Sequence, residues 1–474
     1  MIREKSKWRT RKDESTEARH GGGPTCISEE VSVMEMERRG WIDRSCELVN
    51  PTGVGEEPMI KAKSFCISKQ VVWEAYKRVK ANKGAAGVDE ESISDFEINR
   101  KGNLYKIWNR MSSGSYFPPP VRAVDIDKKD GGQRRLGVPT GADRIAQTVA
   151  KIYFEPGVES YFHPDSYGYR PKKSAIEAIG VTRQRCWRNA WVLDLDIKSF
   201  FDEIDHEFLM RAVRKHTDCK WLLLYIERWL KAPIQLKDGT LVSRDKGSPQ
   251  GSVISPLLAN LFLHYGFDEW MRRHYSTISF ERYADDIIVH CRSEKQARFI
   301  LAMIDKRLSE CKLELNAAKT KIVYCKESKR QGNYQEIKFD FLGYTFRPRL
   351  SKGKGDSFFV NFSPAVSAEA SKSIRQTIRD WRIHRMSDKS IDDLSQMFNA
   401  VIRGWINYYG CYYKSALYPI FEQLNRILTK WAMRKYKRFR HSKAKARKWL
   451  GRIALRQPQL FAHWQFGAKP TAGR

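Results

Sequence analysis

Residues 278–293 read ISFERYADDIIVHCRS. Apolar and β-branched residues run into and out of the box Tyr283-Ala284-Asp285-Asp286, which predicts strand–turn–strand. An Asp-Asp pair in a turn is, on its own, ordinary turn chemistry. Here it lies between apolar strands in a chain that is otherwise strongly basic. Working back along the sequence, a second acidic cluster ends a second strand pattern. Trp191-Val192-Leu193-Asp194-Leu195-Asp196-Ile197 leads through Lys198 and Ser199 to Phe200, Phe201 and Asp202. Side chains alternate along a strand, so Asp194 and Asp196 share a face.

Carboxylates at a turn tip and at the end of a neighbouring strand converge on one edge of a sheet and stay open to substrate. Hard divalent cations want such oxygens, and Mg2+ usually keeps one or two of them plus substrate phosphates. Phosphoryl transfer onto a nucleotide uses two such ions roughly 3.5–4 Å apart.

The charge balance points the same way. The 474 residues carry a formal net charge of +31, and 41% of them are apolar, enough for real cores. That length favours two or three domains. The charge favours polyanionic partners, nucleic acid above all. A membrane role is disfavoured, because the greasiest run, residues 254–267, is interrupted by Asn260 and His264. The charged start MIREKSKWRTRKDES has no apolar signal core, and the nine cysteines form no CxxC pair. Secretion and a zinc ribbon are both disfavoured. The expected location is the cytoplasm, in a bacterium the cytoplasm or nucleoid.

The pattern divides the chain. Residues 1–62 are polar and broken by GGGP and PTGVGEEP, and read as a flexible extension. Residues 63–362 mix helix and strand patterns in the α+β manner. Within them Val72, Tyr76 and Val79 take helical spacing, and residues 117–139 (FPPPVRAVDIDKKDGGQRRLGVP) predict a hairpin turning at Asp130-Gly131-Gly132. Residues 363–436 predict packed helices from Ile391, Leu394, Phe398, Val401 and Trp405, and from Leu417, Phe421, Leu424, Leu428 and Trp431. A basic nucleic-acid-binding tail, 437–474, follows. Residues 363–474 hold 23 Lys/Arg against 6 Asp/Glu, a net of +17.

The order of motifs resembles a group II intron-encoded reverse transcriptase/maturase. Residues 137–150 (GVPTGADRIAQTVA) resemble the finger segment of that family, 166–179 (SYGYRPKKSAIEAI) its next block, and 195–206 (LDIKSFFDEIDH) its palm motif A. Residues 247–270 (GSPQGSVISPLLANLFLHYGFDEW) resemble motif B, YADD the catalytic box, and 313–323 (LELNAAKTKIV) the lysine block. Residues 339–346 (FDFLGYTF) resemble the last palm block, and 402–410 (IRGWINYYG) the maturase thumb. The resemblance spans about residues 64–460.

It implies a right-hand polymerase fold, fingers and palm with an antiparallel sheet, followed by an all-α thumb/maturase domain. It also implies an RNA-dependent DNA polymerase with two Mg2+ ions, held by Asp196, Asp285, Asp286 and the Ile197 carbonyl. Asp194 is the competitor for Asp196. Phe201 is implied as the gate that selects dNTPs, although Phe200 and Phe201 also suit a core. Gln250 lines the nascent base pair, Lys128 and Arg134 hold the triphosphate, and Lys319 lies near the leaving pyrophosphate. Arg135 is open as a substitute for Arg134. Arg403, Arg434, Lys435, Lys437, Arg438, Arg440, Lys443 and Lys445 are the candidate RNA and DNA contacts. The tyrosines of residues 408–413 are open between base stacking and core.

The implied partners are the parent group II intron RNA, an RNA template with a DNA primer, and target DNA for retrohoming by target-primed reverse transcription. The terminal LFAHWQFGAKPTAGR carries no paired cysteines or histidine cluster of an HNH endonuclease, so a member without that domain is expected. An RNA-binding maturase without polymerase activity, and a free-standing relative used in repair or defence, remain the alternatives.

Overall fold

The computed structural model describes residues 63–127, 133–353 and 357–470. The expected extension, residues 1–62, lies outside them, as do Lys128 and the turn Asp130-Gly131-Gly132. The first described helix, Lys69–Ala81, is capped by Ser68 and buries Val72, Tyr76 and Val79, as their spacing requires.

The strands of the first half are β1 (Val121–Asp127), β2 (Gln133–Val138), β3 (Trp191–Leu195), β4 (Ile234–Gln235) and β5 (Leu241–Val242). The second half adds β6 (Phe280–Tyr283), β7 (Asp286–Cys291), β8 (Lys321–Tyr324), β9 (Phe339–Phe341), β10 (Tyr344–Lys352) and β11 (Phe358–Val366). They form three sheets, β2-β1-β4-β5 in the fingers, β6-β7-β3-β8 in the palm, and β11-β10-β9 beside the thumb. The expected finger hairpin is present, with Ile126 opposite Arg134 and Asp125 opposite Arg135.

The palm sheet is antiparallel throughout and buried on both faces. Leu193, Leu195, Ile287 and Val289 point into the large core under the helices Ser255–Leu263 and Glu294–Glu310. Val192, Ile288 and Val323 point into a second core with the helix Ala175–Arg188 and the β9–β11 sheet. The period-two alternation of β3 therefore serves two layers, and Asp194 falls on the second face.

After β11 the chain is helical. The helix Ile391–Tyr409 starts in a capping box between Ser390 and Asp393, a motif worth about 1 kcal/mol. It buries Leu394, Phe398 and Ile402; Val401, expected on that face, is exposed, because the stripe drifts by one position. Leu417, Phe421, Leu424, Leu428 and Trp431 are buried as expected. Two expected boundaries move. β11 crosses 362/363 and runs to Val366, because its pairing with β10 extends to Tyr344. The tail after 436 is not separate. Phe439, Ala446, Leu450, Phe461 and Trp464 share one core with Leu428 and Trp431.

Candidate active site

Strand register builds the site. Leu195 pairs with Ile287 and Asp194 with Ile288, so β3 delivers Asp196 to the end of the sheet where β7 begins with Asp286. Tyr283 pairs with Asp286, leaving Ala284-Asp285 as a two-residue hairpin turn. Ala284 takes φ +57°, a left-handed conformation that costs a non-glycine residue about 1–2 kcal/mol. Gly168 lies directly beneath this turn, where a Cβ would stand 2.4 Å from the Ala284 nitrogen.

Asp285 and Asp286 both feel the charge of Asp196. Burial is the main cause that pushes Asp286 up to about 7 although its side chain still reaches solvent; Asp285 and Asp196 add to the shift and Arg134 opposes it. Asp285 is raised by burial, and Arg134 and Arg282 partly offset this. Asp194 is also pushed up to about 7, first by burial and then by Asp286. A like-charged cluster of hard oxygens in this surround has the donor chemistry of a divalent-cation site. Among the described residues no group of three or more His, Cys, Asp or Glu closes on a metal position by itself.

Arg134 and Arg135 are now distinguished. Arg134 Nε donates to the Gln250 side-chain oxygen, and its charge reaches Asp285 and Asp286. Arg135 instead pairs with Asp125 at 3.0 Å. Gln250 is held by its main chain too, its carbonyl accepting from the Gly137 amide at 2.8 Å. Phe201 and Phe200 are both buried in the palm core with centroids 5.4 Å apart. The Phe201 carbonyl accepts from the Ser248 amide at 2.7 Å, so motif A and the Gly247–Gly251 loop form one unit.

Ile197 bridges Leu315, with the flanking hydrogen bonds Lys198 N to Glu314 O and Asn316 N to Asp196 O. In such a bridge the Ile197 carbonyl points away from Leu315. The same loop carries Lys319, exposed, on the wall of a cavity of about 740 Å³ shared with Asp194, Lys321, Asp340, Arg347 and Arg349. Lys128 lies outside the described residues. Tyr169 was not anticipated; at φ +58° its ring stands 6.2 Å from Tyr283. Burial and then Asp285 raise its hydroxyl. Its sequence signal is its place in the 166–179 block, next to Gly168.

Residues 126–346 match the family Reverse transcriptase (RNA-dependent DNA polymerase), and residues 371–449 match Group II intron, maturase-specific domain. The chain belongs to the group II intron-encoded reverse transcriptases. It is therefore an RNA-directed DNA polymerase with a maturase domain, an RNA-binding protein of a metal-dependent family. Protein YkfC of Escherichia coli (strain K12) is similar, 30% identical over 59% of this chain and 81% of that one. Group II intron-encoded protein LtrA of Lactococcus lactis subsp. cremoris is 26% identical over 78% of this chain and 72% of its own. A solved telomerase from Candida albicans, in complex with a fragment of telomeric RNA, overlaps 80% of this chain and 68% of its own at TM-score 0.40 and 11% identity. Among the described residues no helix is long and apolar enough to cross a membrane.

In the maturase domain of this reverse transcriptase, the basic run separates by position. Arg434, Lys437 and Arg440 line a cleft of about 950 Å³ with Arg379, His384 and Lys430. Lys435 turns away to the Ser387 carbonyl at 2.9 Å, and Arg438 covers the Phe439 ring at 4.6 Å. Arg403, Lys443 and Lys445 are exposed elsewhere. Lys430 and Arg434 are helical neighbours at i, i+4, whereas Arg379 and His384 reach the cleft only through packing. The tyrosines mostly join thumb to palm. Tyr408 and Tyr412 donate to the carbonyls of Leu342 and Ile176, each at 2.8 Å.

Proposed function

We propose that Asp196, Asp285 and Asp286 are the catalytic carboxylates of this polymerase and hold two Mg2+ ions, with the Ile197 carbonyl as a further contact. The observation that carries this is the β3–β7 register, which sets Asp196 beside the Asp285-Asp286 turn. When bound, the ions supply stabilisation of the negative charge that develops on the primer 3′-hydroxyl and on the leaving pyrophosphate.

The chain's own residues orient the substrates. Arg134 offers a guanidinium fork to the dNTP triphosphate, and Lys128 and Lys319 add positive charge near it. Gln250, anchored by Arg134 and by the Gly137 amide, positions the base pair being formed. Phe201 excludes a 2′-hydroxyl and so selects dNTPs. The polymer substrates are an RNA template and a DNA primer.

The C-terminal domain grips the parent group II intron RNA, promotes its splicing, and couples it to target DNA for target-primed reverse transcription. The cleft residues Arg434, Lys437 and Arg440 and the exposed Arg403, Lys443 and Lys445 supply phosphate contacts; Lys435 and Arg438 flank them. A cytoplasmic site of action is part of this proposal. Primer extension on an RNA template tests the catalytic assignment. Asp285→Ala with Asp286→Ala abolishes extension at unchanged primer–template affinity; residual extension near the native rate refutes it.

A further inference from the structure

The geometry points to Asn260, Asp268 and Arg282 as positioning residues for polymerisation, acting through the turn that carries Asp285 and Asp286. This rests on the catalytic assignment of that turn.

Arg282 is wholly buried, an expensive place for a guanidinium unless its donors are met. Its Nε and one terminal nitrogen engage the two oxygens of Asp268, itself wholly buried, at 2.8 and 2.7 Å. The other terminal nitrogen donates to Asn260 Oδ1 at 2.9 Å and to the Ala284 carbonyl at 3.0 Å. The Asn260 amide in turn donates to the Gly168 carbonyl at 2.6 Å. Gly168 is the residue pressed against the Ala284 nitrogen. The left-handed turn is thus clamped at its carbonyl by Arg282 and from beneath by Gly168. One side chain, Asn260, ties the two clamps together.

Helix geometry explains how Asn260 and Asp268 come to share Arg282. At about 3.6 residues per turn, positions eight apart stand roughly 80° apart around an α-helix. Residues His264–Asp268 form a π-turn, and its wider turn takes up most of that offset. The π-turn thereby aims both side chains at the β6–β7 hairpin. None of the three residues faces the open edge where substrate binds; all are buried. Their influence must pass through the main chain of the turn, to where Asp285 and Asp286 point.

The test uses the full-length protein with Asn260→Ser, Asp268→Asn and Arg282→Lys. Three quantities are measured: single-dNTP incorporation on an RNA template, primer–template affinity, and Mn2+ binding by electron paramagnetic resonance. Asn260→Ser leaves the buried ion pair intact and stays informative even if the other two variants do not fold. Its incorporation rate is expected to fall on the order of a hundredfold, the effect of misplacing reacting groups by about 1 Å. The KM for dNTP and primer–template affinity stay within about threefold, and Mn2+ binding weakens several-fold. A native rate, or a loss explained wholly by a lower melting temperature with unchanged Mn2+ binding, overturns the inference. Asp285→Asn is run alongside. If it remains active, the catalytic assignment itself fails; if it is inactive while Asn260→Ser is native, only the positioning role falls.

Discussion

Arg134 of the finger hairpin donates to Gln250 of the palm loop, while its neighbour Arg135, on the other face of the hairpin, pairs with Asp125 of the facing strand β1. One residue is thus committed toward the carboxylates and the other to the finger sheet. A charge-assisted contact of this kind is worth about 1.5–3 kcal/mol. Arg134→Ala should raise the KM for dNTP roughly ten- to hundredfold, and Arg135→Ala less than about twofold. Steady-state dNTP titration on one RNA template checks both.

Gly168→Ala places a methyl against the main chain of the Ala284 turn. We expect incorporation to fall on the order of a hundredfold. Gly157→Ala is the control. It lies in the helix Gly141–Glu159 with nothing within 4 Å of the added carbon. That change should stabilise the protein by about 1 kcal/mol in a denaturant melt and leave the rate alone.

The cleft around Lys430 should be visible in the salt dependence of RNA binding. Each phosphate contact removed lowers the slope of log affinity against log salt by roughly 0.7–0.9. Lys430→Ala with Arg434→Ala should flatten that slope by between one and two units. Extension of a short primer–template at saturating concentration should hold its rate. An unchanged slope would show that intron RNA bypasses the cleft.

His463 supplies a pH prediction. It is fully buried, and burial pushes its imidazole down to about 3 from 6.5. Its Nε2 meets the Asn425 side-chain oxygen at 2.9 Å, an oxygen that also accepts from Trp464, so the histidine donates there as the neutral ring. Between those two values the unfolded chain binds a proton that the folded one refuses. Stability is therefore complete above about pH 6.5 and is lost as pH falls toward 3, by up to ~1.4 kcal/mol per unit. His463→Gln keeps a donor and removes the titration. Urea midpoints at pH 7.5 and 5 should differ less in that variant than in the native protein.

Much of the fold was legible because its signals are local. The apolar–acidic–apolar pattern around residue 285 specified a hairpin, and Leu424, Leu428 and Trp431 specified a helix face. What stayed hidden depends on distance in space. Nothing in sequence separates Arg134 from Arg135 until the strand register assigns each a face. Asn260 and Asp268 look like ordinary polar positions on a helix until the π-turn rotates them together. Tyr408 and Tyr412 have the composition of a stacking surface, yet their hydroxyls are spent on the carbonyls of Leu342 and Ile176. The basic run at 434–448 reads as a line of equal charges, and folding sorts them.

The core shared across residue 436 bears on how a smaller enzyme could be engineered. Cutting the protein there, where composition alone invites it, would strip Phe439, Leu450, Phe461 and Trp464 from around Trp431. An indole meant for the interior would face water, and the shortened product should clump during expression. Any miniaturised version has to keep its last helices for solubility, whatever they do for nucleic acid.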